Sequence, residues 1–251
     1  MNKGRYRVVL MGASGVGKTS FLTSYFFLAD RHKQGNFPVK IKKTSSAENM
    51  NNMINTLFSS SHVEKTTERI DLSFHVDSLD IEIDCFDVPG QMTRDISLWS
   101  NGKILDDLRK ADALLIFLSA EDVMLYQDRL IEDNLVFTTA ISHLKQNHKV
   151  LPIWFFFTKV DKFPNVSLDD LNSRIPALLK AAGSENKRCV CSWKVTALGC
   201  EPKYGAPLGN YAPENVLEPM EQLIETLRVS LSLPQERENR SLTFFRNFFC
   251  R

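Results

Sequence analysis

The chain has 251 residues, 43% of them hydrophobic, with 31 Lys and Arg against 30 Asp and Glu. That length fits one elaborated domain, and the even charge balance gives no electrostatic reason to bind nucleic acid. No apolar run approaches the roughly 20 residues of a membrane span, and the five cysteines lack disulfide-framework spacing, so a cytoplasmic location with reduced thiols is expected.

The chain opens on a short buried strand over 5–11, which leads directly into a Gly-rich loop; no signal peptide is expected. Asn2 stands where N-myristoylation needs glycine. The loop, Gly12-Ala-Ser-Gly-Val-Gly-Lys-Thr19, reads G-x-x-x-x-G-K-T, and a helix is predicted from 18 to 29. Strand, Gly-rich loop and helix N-terminus together make a phosphate cradle: backbone N–H groups turn inward and the helix dipole adds positive potential. Gly12, Ser14, Gly15, Val16, Gly17, Lys18, Thr19 and Ser20 form the predicted phosphate-binding set. Lys18 would reach the β- and γ-phosphates, and the Thr19 hydroxyl would ligate Mg²⁺. The bland alternative is a Gly-rich turn with an incidental Lys.

Residues 30–69 form a long polar stretch of about 40 residues, uncommon in a compact domain unless functional or disordered. Ala47, Met50, Met53, Ile54, Leu57 and Phe58 fall at helical spacing, so an amphipathic helix and a solvated insertion both remain open; the functional reading is an effector or regulator surface. Two alternating strands follow at Ile70–Val76 and Ile81–Phe86, joined by a hairpin at 77–80. The second runs into Asp87-Val-Pro-Gly-Gln91. There Asp87 could hold Mg²⁺ through water, the Gly90 N–H could touch a γ-phosphate, and Gln91 could orient an attacking water. Helical structure is expected over 92–110, a buried strand at 113–119 and a helix at about 122–147.

A fully apolar strand at 150–157 ends in Thr158-Lys-Val-Asp161, the pattern [NT]-K-x-D. A buried Asp161 carboxylate would accept from guanine N1–H and the 2-amino group, a donor pair adenine lacks. The Lys159 stem would lie along base and ribose. A helix is predicted over 167–182 and a strand over 188–196, with Cys189 and Cys191 on one face. The strand runs into Thr196-Ala197-Leu198, a short loop whose backbone N–H suits a guanine oxo group. A last helix is predicted from Pro213 to about 232. All four motifs lie just past strand ends, where ligands sit in α/β sheets.

In this order and spacing the motifs resemble the Ras-like small GTPase superfamily, over roughly residues 5–232. The P-loop with Ser14 and Val16 looks like the Rab branch, and the Pro of Asp87-Val-Pro-Gly-Gln91 like the Rag branch. The resemblance implies an α/β fold, a doubly wound, mostly parallel six-stranded sheet with helices on both faces. It implies a GTP/GDP switch with Mg²⁺, slow hydrolysis, protein effectors, and an activating or exchange partner. It also implies a switch I Thr on Mg²⁺: Thr66 and Thr67 both precede Ile70 at workable distances, Thr67 is favoured, and Thr44 is a distant third. Arg94 is a candidate for internal charge stabilisation, set against the weightier reading of a solvated Arg at a helix start.

Residues 1–232 are thus expected to form the G domain, with an insertion at about 30–66. Residues 233–251 are read as a charged linker and an aromatic tail carrying Leu242, Phe244, Phe245, Phe248 and Phe249. The tail could dock on the domain, bind a partner, or lie peripherally on a membrane. Cys250-Arg251 is not a prenylation box. Two further readings stand beside the leading one. In the first, the protein is a nucleotide-bound scaffold without hydrolysis. In the second, it is a P-loop ATPase or kinase in which Asp161 is incidental.

Overall fold

The computed structural model describes residues 4–31, 33–41, 48, 50–55, 70–100, 103–146, 151–183, 189–198 and 211–232. Thr44, Thr66, Thr67 and residues 233–251 lie outside them.

The sheet follows the alternation in the sequence. Its strands are β1 (Gly4–Gly12), β2 (Val39–Ile41), β3 (Ile70–Val76), β4 (Ile81–Asp87), β5 (Ala113–Ser119), β6 (Ile153–Thr158) and β7 (Val190–Lys194), in the order β2-β3-β4-β1-β5-β6-β7. Four adjacent pairs are parallel, while β2 with β3 and β3 with β4 are antiparallel. The sheet has seven strands rather than six. The extra one is β2, three residues within the polar stretch, which pairs along the edge of β3. Buried on both faces, β5 and β6 are unbroken apolar runs up to their last residues, as central parallel strands must be. A 3₁₀ turn over Asp77–Leu79 and a left-handed Asp80 close the β3–β4 hairpin.

One face of the sheet packs α1 (Lys18–Phe26) and a long C-terminal helix, later called α9. Phe21 on α1 meets the rings of Phe117 and Phe156 edge-on, at 5.3 and 5.1 Å. Beyond Phe26 the helix loosens to π geometry over Phe27–Arg31. Within the insertion, residues 50–55 are helical, and Met50 and Ile54 are buried in the same core. Asn36 bonds Glu221 through both its backbone and side-chain nitrogens, tying residues 33–41 to that C-terminal helix.

The other face carries α2 (Gly90–Arg94), α3 (Ser97–Ser100), α4 (Lys103–Lys110), α5 (Ala120–Leu125), α6 (Gln127–Lys145), α7 (Leu168–Ser173) and α8 (Pro176–Ala182). Predicted helical stretches are therefore subdivided or shortened, beginning with 92–110, which divides into α2, α3 and α4. The helix expected at 122–147 breaks at Tyr126, where φ is −122° and ψ 79°. Arg129 brackets that break, lying 4.8 Å over the Tyr126 ring and donating to Asp122 at 2.9 Å. The helix expected at 167–182 breaks before Pro176, which starts α8; Ser167 and Asp170 form a capping box on α7. The last helix, α9 (Leu217–Ser232), starts four residues after Pro213 because Glu214 pairs instead with Thr196 and Asn215 is left-handed.

Candidate functional site

Strand register brings the four motifs level. Leu10 pairs with Asp87, Gly12 with Phe117, Ser119 with Thr158, and Phe157 with Lys194, so the predicted site residues leave the sheet at one edge. The P-loop turns there: Gly17 holds φ at +97°, in the left-handed region that an L side chain resists, and serves as N-cap of α1. Ser14 and Gly15 are exposed, Val16 is buried and Ser20 is half-buried on α1.

Lys18, Thr19 and Asp87 form a buried cluster. Lys18 Nζ donates to the Gly12 carbonyl at 2.9 Å and stands 3.8 Å from Asp87 Oδ1. Thr19 Oγ1 donates to Asp87 Oδ2 at 2.9 Å. Burial lowers the affinity of Lys18 for its proton, and Asp87 opposes that. Burial raises the Asp87 pKa, opposed by Lys18 and the Thr19 hydroxyl. Asp87 Oδ1 is buried with no hydrogen-bond partner. A desolvated carboxylate oxygen left unspent beside a hydroxyl suits a hard divalent cation.

Gly90 lies directly over the P-loop. A Cβ there would overlap the backbone nitrogen and Cα of Ser14, so glycine is required by close approach. Gln91 follows, exposed on α2. Arg94 is not a free cation: it is part-exposed and held in an ion pair. It donates from Nε and Nη2 to Asp133 Oδ1 at 3.2 and 3.1 Å, with Glu132 at 3.6 Å. Asp133 is almost fully buried on α6, and burial pushes its pKa up against the pull of Arg94.

This pair yields a prediction with a definite sign. Arg94→Ala leaves an unpaired buried carboxylate, whose pKa rises further. A carboxyl with a raised folded-state pKa contributes stability below its unfolded pKa and loses it as pH rises. Thermal unfolding should therefore show a loss of about 2–3 kcal/mol at pH 7, below the roughly 3–5 kcal/mol of fully buried pairs because Arg94 is part-exposed, and the loss should shrink toward pH 4.

Thr158 and the guanine-reading candidates sit alongside. Buried Thr158 Oγ1 donates to Val16 O at 2.5 Å and lies 3.3 Å from Leu118 O, locking the β6 end to the P-loop. Thr158→Val should cost about 0.5–1.5 kcal/mol by removing the hydroxyl's hydrogen bond, measurable by chemical denaturation. Lys159 is half-buried with φ +56°, a strained left-handed conformation. It starts the 3₁₀ turn Val160–Lys162 that carries Asp161 outward. Asp161 is exposed, not buried as expected: it stands at the outer edge, where a docked base would supply the desolvation. Thr196 is buried and pairs with Glu214 through both backbone N–H groups, while Ala197 and Leu198 are half-buried.

Sequence reasoning missed Ser24, whose Oγ donates to the Ala197 carbonyl at 2.6 Å and fixes that loop to α1. A mid-helix serine gives no sequence signal for a partner 173 residues away. A cleft of about 550 Å³ opens between Phe27–Gln34 and Tyr211–Glu218, and another of about 450 Å³ beside Phe163 and Arg174. Neither is at the P-loop. A phosphate cradle is a collar of backbone donors rather than a deep hole, so chemistry, not volume, locates this site.

No protein-family model matches the sequence, and no curated protein does. Solved structures do match. The Arl6 (BBS3) small GTPase of Trypanosoma brucei, with bound GppNp, is 16% identical with a TM-score of 0.54, covering 89% of this chain and 97% of that one. The Ski7 GTPase-like domain of S. cerevisiae, bound to GDP and inorganic phosphate, is 14% identical with a TM-score of 0.59. That match covers 93% of this chain and about half, 51%, of the Ski7 chain. The chain thus has the P-loop GTPase fold, with a mixed seven-stranded α/β sheet and the motif residues gathered at one sheet edge.

Proposed function

We propose that this protein binds GTP and GDP with Mg²⁺ and hydrolyses GTP slowly, acting as a switch read by partner proteins. The observation carrying this reading is the buried Lys18–Thr19–Asp87 cluster under the P-loop, level with Gly90 and the Thr158–Asp161 turn. Lys18 neutralises charge on the β- and γ-phosphates. Thr19 and Asp87 hold the cation, with a switch I Thr, Thr67 in preference to Thr66, completing the set. Bound Mg²⁺ would neutralise developing charge on the phosphate oxygens. Among the described residues no group of three or more His, Cys, Asp or Glu side chains is arranged to hold a metal ion; a Mg²⁺ shared between phosphates, water and one carboxylate needs no such cage. Gln91 orients the attacking water, and Lys159, Asp161 and the Ala197 N–H read the base.

Arg94 is engaged by Asp133, so this chain supplies no finger from that position. Intrinsic turnover then belongs near 10⁻⁴ per second, the scale of GTPases without a finger, and an activating partner is called for. The G domain spans 1–232 in this reading. The 30–66 insertion forms an effector or regulator surface, and the protein works in the cytoplasm or at a membrane periphery.

A single-turnover assay with Mg²⁺ and GTP, with ATP and Gln91→Leu as controls, tests the proposal. The expected result is GTP-selective hydrolysis that falls at least about tenfold in Gln91→Leu with GTP binding unchanged, as loss of a water-positioning group requires. GTP binding without hydrolysis, alone or with candidate activators, would favour the nucleotide-bound scaffold.

A further inference from the structure

The loop at residues 196–198 has its carbonyl groups spent inside the protein. Thr196 O accepts from Glu214 N at 2.9 Å, Ala197 O from Ser24 Oγ at 2.6 Å, and Leu198 O from Ala212 N at 3.0 Å. The Thr196 N–H donates to Glu214 O at 3.0 Å. What the loop has left to offer is two donors. The N–H groups of Ala197 and Leu198 have no backbone acceptor among the described residues. A peptide unit is planar and trans, so its N–H points opposite to its own carbonyl. Pinning Thr196 O on Glu214 therefore turns the Ala197 N–H away from residues 211–214. Pinning Ala197 O on α1 turns the Leu198 N–H away from α1.

Ser24 supplies the second pin from a fully buried position on α1. A helical serine often returns its hydroxyl to the carbonyl four residues back, as neighbouring Thr23 does to Thr19 O at 2.8 Å. Ser24 instead reaches a loop 173 residues away. The same helix begins at the P-loop with Lys18, about 9 Å along the axis from Ser24. One rigid element thus carries the phosphate cradle at its start and holds the base loop from its second turn. We propose that Ser24 is a positioning residue for base selection: by occupying the Ala197 carbonyl it keeps 196–198 a donor-only loop, matched to a 6-oxo purine and closed to a 6-amino one. The role rests on the nucleotide reading above and deepens it, from the groups that touch the base to the side chain that orients them. A guanine 6-oxo group accepts from the loop, whereas an adenine 6-amino group is a donor and meets no acceptor there. Without the Ser24 hydroxyl the peptide between Ala197 and Leu198 loses that restraint, and a turn about it presents the carbonyl where the N–H stood.

Ser24→Ala, a change that favours the helix, tests this with GDP and 6-thio-GDP as ligands. Both carry N1–H and the 2-amino group, so the Asp161 contacts cancel in the ratio of their affinities. They differ in the atom at position 6, where sulfur is the weaker acceptor. The parent should bind GDP about tenfold more tightly than 6-thio-GDP. In Ser24→Ala the ratio should fall to about threefold or less, through weaker GDP binding. Thr23→Ala removes an equally buried hydroxyl whose bond stays within α1, and should keep the parent's ratio. A merely structural role for Ser24 would weaken both ligands equally; an unchanged ratio in Ser24→Ala overturns the proposal. An equal fall in Thr23→Ala also overturns it, since any disturbance of α1 would then suffice. A parent that binds both ligands alike removes the loop from base recognition and the proposal with it. A parent that binds neither overturns the nucleotide reading and, with it, the role of Ser24.

Discussion

Asp161→Asn is expected to exchange guanine for xanthine preference. The carboxylate stands exposed in the middle of the 3₁₀ turn after β6, held there by the left-handed Lys159 and by the Thr158 bond to Val16 O. A guanine docked in that turn offers two donors, N1–H and the 2-amino group, to one charged acceptor. Hydrogen bonds to a charged group contribute about 1.5–3 kcal/mol each; asparagine keeps an acceptor for N1–H but turns a donor toward the 2-amino group, so guanine loses at least one such bond, or about 10–10² in affinity. Asparagine presents one donor and one acceptor, which suits the oxo group that xanthine carries at position 2. Titration of both proteins with fluorescent GDP and xanthosine diphosphate measures the swap. Equal weakening toward both bases would place base recognition elsewhere, and unchanged GDP affinity would remove Asp161 from the site.

The motifs were legible because each is contiguous and each sits on an element whose period is unmistakable. The P-loop follows a strand, and the Asp161 turn follows the apolar run of β6, so local pattern and global position agreed. What escaped notice depends on distant partners. Arg94 looks like a free cation in sequence; only the fold places buried Asp133 beside it. Ser24 anchors Ala197 across the whole length of the domain. The strand β2 is too short, and sits in too polar a context, to announce itself; β3's open edge creates it. The helix break at Tyr126 is likewise made by Arg129 and Asp122 gripping around it rather than by any Pro or Gly. Leu125 and Tyr126, at that break, are left exposed.

Asp87→Asn should separate the two roles of that residue. The amide is nearly isosteric and can still accept from Thr19, so the fold of the loop is kept. Lys18, however, loses the carboxylate 3.8 Å away while remaining buried, with the Gly12 carbonyl as its hydrogen-bond acceptor. Breaking a buried pair by removing one partner costs about 3–5 kcal/mol, because an uncompensated charge stays behind. Nucleotide-free Asp87→Asn protein should therefore unfold at markedly lower denaturant concentration than its parent. Phosphates bring their own negative charge to Lys18, so saturating GDP should restore most of that loss. A cation held there would gain no such relief: the unspent Oδ1 is now a neutral amide atom, and a cation that prefers anionic oxygen would lose that carboxylate. Mg²⁺ should consequently slow GDP release far less in the variant than in the parent. Denaturation with and without GDP, and nucleotide release with and without Mg²⁺, give four readings. Stability that GDP does not restore would mean Asp87 mainly holds the fold, and an unaltered Mg²⁺ effect on release would take the cation away from Asp87.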